Sequence, residues 1–269
     1  MAHRCSLIDV GNSTLKAVTL EVTAIEEAVA VISPIRAYED IEQWLGAQNN
    51  DGHHHKVWFA SVRDDPENQR IHDFLHQHGM LCEQVNTSEE AFGIKNSYAQ
   101  VSKMGVDRWL ALLGAELLSD GDCLVADAGT ALTVDALIDK QHVGGWISPG
   151  LQLAKDAVTG NTRRVFQDPQ AYQQLAFGND TEQCLALGCM AQLYGTLMVA
   201  TQVMQQQQTD FTLIISGGDA PLIKSISNKL PLPQSFIYTP NIVILGLLRF
   251  ALADHPLKSV QKTAQSLVI

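Results

Sequence analysis

The chain has 269 residues, 29 acidic against 18 basic, for a formal net charge of −11, with 46% apolar and 17% charged residues. That balance excludes a disordered chain and leaves room for two core-bearing lobes or one large α/β domain. The negative charge argues against a protein that neutralises nucleic-acid phosphates or lies on an anionic membrane, so we expect neither nucleic acid nor membrane as partner.

Residues 6–10 are an apolar run, Gly11-Asn12-Ser13 turns the chain, and residues 15–22 alternate as a returning strand. Asp9 then stands at the tip of the first strand. There its carboxylate can hold a metal, Gly11 to Ser13 can offer amides and a hydroxyl to phosphate oxygens, and Lys16 adds positive charge. The same residues equally suit an ordinary turn on steric grounds alone.

Beyond this hairpin, residues 24–31 read as further strand and residues 38–45 carry apolar groups at helical spacing. The run His53-His54-His55-Lys56 is read as a solvated loop rather than a metal site, because neighbours on a short loop point in different directions. Residues 57–60 start a buried strand, 61–65 form a polar turn, 66–78 a helix opened by Pro66, and 80–85 another strand. This strand-helix-strand order is the parallel α/β unit.

A loop from residue 96 runs into a helix over 110–118, with Asp107 and Arg108 where that helix begins. An acid there is favoured by the helix dipole in any protein. Side by side in a cleft, the two can also act on a small hydroxy acid: Asp107 accepts the hydroxyl proton while Arg108 pairs with an anionic group. Residues 121–127 and 132–138 then repeat the opening pattern, an apolar run ending in Asp127 and a turn at Gly129-Thr130, with a third strand over 142–147. Two copies of apolar-Asp-x-Gly-polar-polar favour the phosphate reading for both and suggest two related halves with a nucleotide between them.

Gly144-Gly145 is read as a place where the backbone comes close to a ligand or another strand, and Pro149-Gly150 as a closing turn. A helix over 151–158 follows, then a polar loop with Asn161, Arg163 and Arg164, which we read as solvated. Asp180 or Thr181 can cap a long helix over 184–205, and Thr181 can alternatively turn its hydroxyl to a substrate. That helix, rich in Ala, Gly and Leu, is expected to be buried between lobes or in a subunit interface. After a strand over 211–215, Ser216-Gly217-Gly218-Asp219 either offers a flat platform to an adenine ring or makes a tight strand-to-helix turn. An apolar helix over 241–253 closes the pattern.

The five cysteines, Cys5, Cys82, Cys123, Cys184 and Cys189, are odd in number and form no C-x-x-C pair. With no secretory leader evident, we expect reduced thiols in the cytoplasm. The longest apolar run near the end, residues 242–248, falls short of the ~20 residues that a membrane span needs.

Taken in order, these segments resemble a type III pantothenate kinase of the sugar kinase and actin superfamily. Residues 9–16 resemble its first phosphate loop, Gly105-Val106-Asp107-Arg108 its G-x-D-R signature, residues 127–135 its second phosphate loop, and residues 144–150 its G-G-x-I-x-P-G segment. One departure is that the family's usual proline between the tyrosine and G-x-D-R is absent from residues 99–102. The resemblance implies an α/β actin-like ATPase fold, two ribonuclease-H-like lobes over 1–119 and 120–269 with a nucleotide cleft between them. It implies ATP-dependent phosphorylation of pantothenate to 4'-phosphopantothenate, the first step of coenzyme A synthesis, by a homodimer.

By the same resemblance, Asp9, Val10, Gly11, Asn12, Ser13, Thr14, Leu15, Lys16 and Thr130 hold ATP, with Asp9 near a divalent cation such as Mg2+. Tyr98, Gly105, Val106, Asp107 and Arg108 contact pantothenate, with Asp107 as general base. Thr181 contacts substrate from across the dimer, and Asp127 holds a monovalent cation, K+ or NH4+. Two other readings remain: a nucleotide-binding regulatory factor of the same fold, and a kinase of another small hydroxy acid or sugar. The four acids and bases Asp9, Asp107, Arg108 and Asp127 speak against the first, since a retired enzyme has no reason to keep them.

Overall fold

A computed structural model describes residues 3–22, 30–32, 35–48, 55–162, 164–167, 172, 174–207, 210–227 and 236–253. Of the stretches discussed above, His53, His54, Arg163 and residues 24–29 lie outside these. The contacts divide the chain into two units, Met1–Leu118 with Asn241–Ile269, and Ser119–Pro240.

In the first unit, β1 (His3–Val10), β2 (Leu15–Val22), β3 (Ala30–Ile32), β4 (Arg36–Tyr38), β5 (His55–Ser61) and β6 (Leu81–Gln84) form one sheet in the order β3-β2-β1-β5-β6, with β4 also on β2. β2 is antiparallel to its neighbours β1 and β3, whereas β1 to β5 and β5 to β6 are parallel. Leu7 and Ile8, adjacent on the central strand, are both fully buried, which is why this strand reads as a continuous apolar run rather than an alternating one.

α1 (Ile41–Gly46) and α2 (Asp65–Gln77) are capped by Asp40 and Asp64, whose carboxylates accept from Gln43 N–H (2.8 Å) and Glu67 N–H (3.1 Å). Trp44, Ile71 and Leu75 bury their apolar faces with Phe59 and Val57 of the sheet. A short hairpin, β7 (Glu90–Ala91) and β8 (Ile94–Lys95), precedes a 3-10 turn over Val101–Lys103 and then α3 (Val106–Ala115). The helix thus starts four residues earlier than its composition suggests.

In the second unit, β9 (Cys123–Ala128), β10 (Ala131–Ile138), β11 (Gln141–Pro149), β12 (Thr212–Ser216) and β13 (Phe236–Tyr238) run in the order β11-β10-β9-β12-β13. β9, β10 and β11 are antiparallel neighbours, and β12 is parallel to both β9 and β13. This repeats the order and sense of β3-β2-β1-β5-β6, so the sequence echo between residues 9–16 and 127–135 is an echo of topology. α4 (Leu151–Gly160), α5 (Thr181–Gln207) and α6 (Ala220–Ser227) complete the unit.

α5 is long and apolar enough by composition to cross a membrane, but it packs instead: Leu193, Leu197, Ala200 and Met204 enter a core with Leu124, Leu132 and Leu213. α5 is thus buried along one face within its own unit. Val199 and Val203 on it remain exposed.

The last helix, α7 (Ile242–Ala253), corrects the expected single division at residue 119. It belongs to the first unit, where Gly114 of α3 meets the Ile242 carbonyl and Gly246 meets Leu110 so closely that a Cβ at either glycine would collide with backbone. Arg249 of α7 donates to the Leu113 carbonyl (3.2 Å) and pairs with Glu116. α3, which carries Asp107 and Arg108, is therefore seated on a helix from the far end of the chain.

Candidate functional site

The first loop is a four-residue connection between Val10 and Leu15, which face each other across β1 and β2. Val10 and Leu15 are buried in the core, so only their backbones can serve a ligand; Asn12, Ser13 and Thr14 are exposed. Asp9 and Lys16 are directly opposite each other and both half-buried, which places a carboxylate and an ammonium on one face of the sheet beside the loop. Gly11 N–H is spent inside the turn on Thr14 O (3.0 Å), so it is not among the amides that can receive a phosphate. Gly11 O accepts from Arg63 Nε (3.0 Å), a residue whose place in a polar turn after β5 carried no functional signal.

The acid and guanidinium of the second segment sit in the first turn of α3. Asp107 Oδ1 folds back to accept from Arg108 N–H (2.8 Å), and a Cβ on Gly105 would fall on that oxygen. This gives the glycine of G-V-D-R a steric reason: it clears the space that the carboxylate occupies. Val106 packs into the core and acts through its backbone.

Arg108 is only 4% exposed, and its Nη1 donates to the Tyr98 hydroxyl (2.8 Å). A hydrogen bond to a charged group of this kind contributes about 1.5–3 kcal/mol. Tyr98 is held by its own N–H on Asn96 Oδ1 (2.9 Å), and Asn96 N–H in turn reaches Glu89 O (2.8 Å). In place of the family's proline, the 3-10 turn over Val101–Lys103 shapes the connection, with Thr87 Oγ1 donating to Met104 O (2.9 Å).

The second loop lies in the other unit. Asp127, half-buried near the end of β9, stands opposite Thr133 and beside Ser216; Thr130 is exposed at the turn. Gly129 N–H bonds Ala131 O (2.9 Å), and Gly150 N–H bonds Thr130 O (3.1 Å). A Cβ on Gly150 would strike Gly129 O and lie 2.8 Å from Thr130 O, so this glycine fixes how closely the start of α4 approaches the turn.

Asp219 ties in a third segment: its N–H bonds Ala128 O (2.9 Å) and its Oδ2 accepts from Leu151 N–H (3.2 Å) at the start of α4. Burial pushes the Asp219 carboxyl above its usual value, partly offset by the Leu151 bond and by Lys155. Asp135, the last residue of the second motif, is not at the loop. It is buried against His142, whose Nε2 lies 3.0 Å away.

Two expectations about glycine are narrowed here. Gly144 has open space where a Cβ would be and a φ of +132°, so the backbone bend, and not the approach of another strand, calls for glycine there. Gly217 is buried against the Ala128 backbone and makes the tight turn, whereas Gly218 leaves an open, exposed surface on which a flat ring can lie.

At α5, the choice of cap is decided. Asp180 Oδ1 accepts from Gln183 N–H (2.8 Å), leaving Thr181 exposed in the first turn. Among the described residues no three His, Cys, Asp or Glu side chains gather as a metal cluster. Magnesium does not need one, since it keeps several waters and takes one or two carboxylates plus substrate phosphates. Asp9, a single half-buried carboxylate near the end of β1 beside the first loop, fits that donor set.

A family model described as type III pantothenate kinase matches residues 6–204. A type III pantothenate kinase of Pseudoalteromonas atlantica is 30% identical over 246 residues, covering 91% of this chain and 96% of that protein. One from Ectopseudomonas mendocina is 35% identical over 197 residues, covering 70% and 76%. Among solved structures, a Campylobacter jejuni protein assigned to a Baf family of transcriptional activators superposes with a TM-score of 0.57 at 20% identity, covering 93% of this chain and 98% of that one. A Sinorhizobium meliloti protein named for 2-dehydro-3-deoxygalactonokinase gives 0.60 at 12% identity, covering 93% and 99%. The structural likenesses speak for the actin-like sugar kinase fold alone.

Proposed function

The chain belongs to the type III pantothenate kinase family, and from that membership we infer that it transfers the terminal phosphoryl group of ATP to the hydroxyl of pantothenate. The observation that carries the reading is the geometry of residues 98–108. Gly105 makes room for the Asp107 carboxylate in the first turn of α3, and the nearly buried Arg108 is locked to Tyr98. That supplies an oxygen base and a fixed cation, the two groups an anionic alcohol requires.

In this reading Asp107 accepts the hydroxyl proton late, as the new phosphorus–oxygen bond forms and the hydroxyl acidifies. Arg108 and Tyr98 orient the pantothenate carboxylate. Phosphoryl transfer asks for positioning and charge neutralisation more than covalent help, so the amides of the loops and Lys16 carry most of the protein's share on the ATP side. Asp9 would hold a divalent cation and Asp127 a monovalent one, and such ions add positive field around the phosphoryl oxygens.

We place Thr181 at the substrate of a second copy in a homodimer; its exposure at the start of α5 and the exposed Val199 and Val203 on the same helix support this. All five cysteines are free thiols, in keeping with a cytoplasmic enzyme. ATP consumption measured with and without pantothenate, in potassium, tests the function. Consumption that does not depend on pantothenate, or that another hydroxy acid supports better, would overturn it.

A further inference from the structure

We propose that Arg63 is a positioning residue for the polyphosphate of the nucleotide: it holds the Gly11 carbonyl, thereby aims the Asn12 amide outward, and adds a fixed positive charge at the loop. The inference rests on the reading that the loop after β1 receives ATP phosphates, and assigns that loop the anchor it otherwise lacks.

β5 lies parallel to β1 with Ser61 beside Val10, and Val62 N–H continues the ladder to Val10 O (3.2 Å). The next residue, Arg63, therefore emerges level with Gly11. Its backbone is held on both sides, by its N–H on Ser61 Oγ (3.1 Å) and by Asn68 Nδ2 on its carbonyl (3.2 Å). The side chain is 20% exposed, with Nη1 3.9 Å from Glu67 Oε1 and Nε donating to Gly11 O at 3.0 Å.

In a trans peptide unit the C=O and the following N–H point in opposite directions. A donor fixed on Gly11 O thus fixes the direction of Asn12 N–H, away from Arg63. Glycine gives this unit unusual freedom to flip, and a flipped unit would present a carbonyl oxygen to an incoming phosphate, which repels it. Gly11 N–H is already committed to Thr14 O, while among the described residues the N–H groups of Asn12, Ser13 and Thr14 make no hydrogen bond. The loop therefore has a small set of open donors, and Arg63 decides whether the first of them faces the anion. A guanidinium brings both its charge and donors held in a fixed plane, whereas a lysine ammonium brings the charge without that planar geometry.

The test compares Arg63→Gln, Arg63→Lys and Lys16→Met with the parent enzyme, reading KM for ATP, KM for pantothenate, kcat and the thermal midpoint. Arg63→Gln is expected to raise KM for ATP roughly ten- to hundredfold, the worth of a hydrogen bond to a charged group. KM for pantothenate and the midpoint should stay near the parent's, and Arg63→Lys should recover only part of the loss. An unchanged KM for ATP in Arg63→Gln, or an equal rise in both KM values with a lowered midpoint, overturns the proposal. If Lys16→Met raises KM for ATP while Arg63→Gln does not, the loop binds phosphate without Arg63. If neither does, the phosphate-loop reading itself has failed.

Discussion

Replacing Gly105 by alanine separates catalysis from stability. Gly105 has φ −56° and ψ 135°, a conformation open to any L-residue, so the added methyl group brings no backbone strain. Among the described residues its only close neighbour is the Asp107 carboxylate, with Oδ1 inside the 3.0 Å that real Cβ atoms do not cross and Cγ at 3.6 Å. A carboxylate at the end of a rotatable side chain gives way more cheaply than backbone. The acid then swings off its bond with Arg108 N–H, a loss of about 1 kcal/mol.

Restricting the unfolded chain returns about 0.4–1 kcal/mol, so the net stability change is close to zero and the thermal midpoint should move by no more than about 4 °C. Catalysis fares worse, because a base displaced by ~1 Å loses about 10²-fold in rate. Steady-state kcat with pantothenate in an ATP-coupled assay, alongside calorimetry, reads both quantities. Asp107→Asn, with nucleotide affinity retained and turnover lost, sets the floor for the rate. A Gly105→Ala enzyme within about threefold of the parent would refute the role given to the Asp107 carboxylate. A midpoint lowered by more than about 10 °C would show that the methyl group met something stiffer.

At Gly150 the obstacle is backbone, Gly129 O and Thr130 O, so Gly150→Ala should behave in the opposite way: destabilised by about 1–3 kcal/mol, read as a lower midpoint, with the Thr130 turn displaced. Replacing potassium by sodium is expected to slow the parent enzyme, and Asp127→Asn to abolish the difference; equal parent rates in the two salts would remove the monovalent-cation role. Asp219, whose carboxyl is raised chiefly by burial, contributes stability while protonated and loses it as pH rises through the raised value. Asp219→Asn should therefore be more stable than the parent near neutral pH, with the gap closing as pH falls toward the ordinary carboxylate value of 3.8. A midpoint difference that does not vary with pH would contradict this.

The two Asp-x-Gly turns and the G-V-D-R segment were legible because their chemistry is local. An acid ending an apolar strand, then Gly and hydroxyl residues, specifies a turn whatever surrounds it. Arg63 and Asp219 were not legible in the same way. Each acts on a backbone group far away in the chain, Arg63 on the Gly11 carbonyl and Asp219 on Leu151 N–H and Ala128 O, and no spacing between residue types announces such a contact. Glycines divided similarly. That Gly105 must clear a side chain two residues on could have been reasoned locally, but that Gly150 must clear residues 129 and 130 follows only from the pairing of β10 with β11.

By itself the sequence determined the longer strands and helices, the duplicated Asp-x-Gly turns and the adjacency of Asp107 and Arg108, since hydrophobic period, turn residues and helix-end chemistry act over a few positions. Only the tertiary structure decided that α7 closes the first unit rather than the second, because that choice rests on Gly114 and Gly246 letting two helices approach across more than a hundred residues of chain. It also decided which amides of the first loop are spent and which remain. A hydrogen bond is assigned by where partners meet in space, and Thr14 O and Arg63 Nε meet Gly11 only once β1, β2 and β5 have paired.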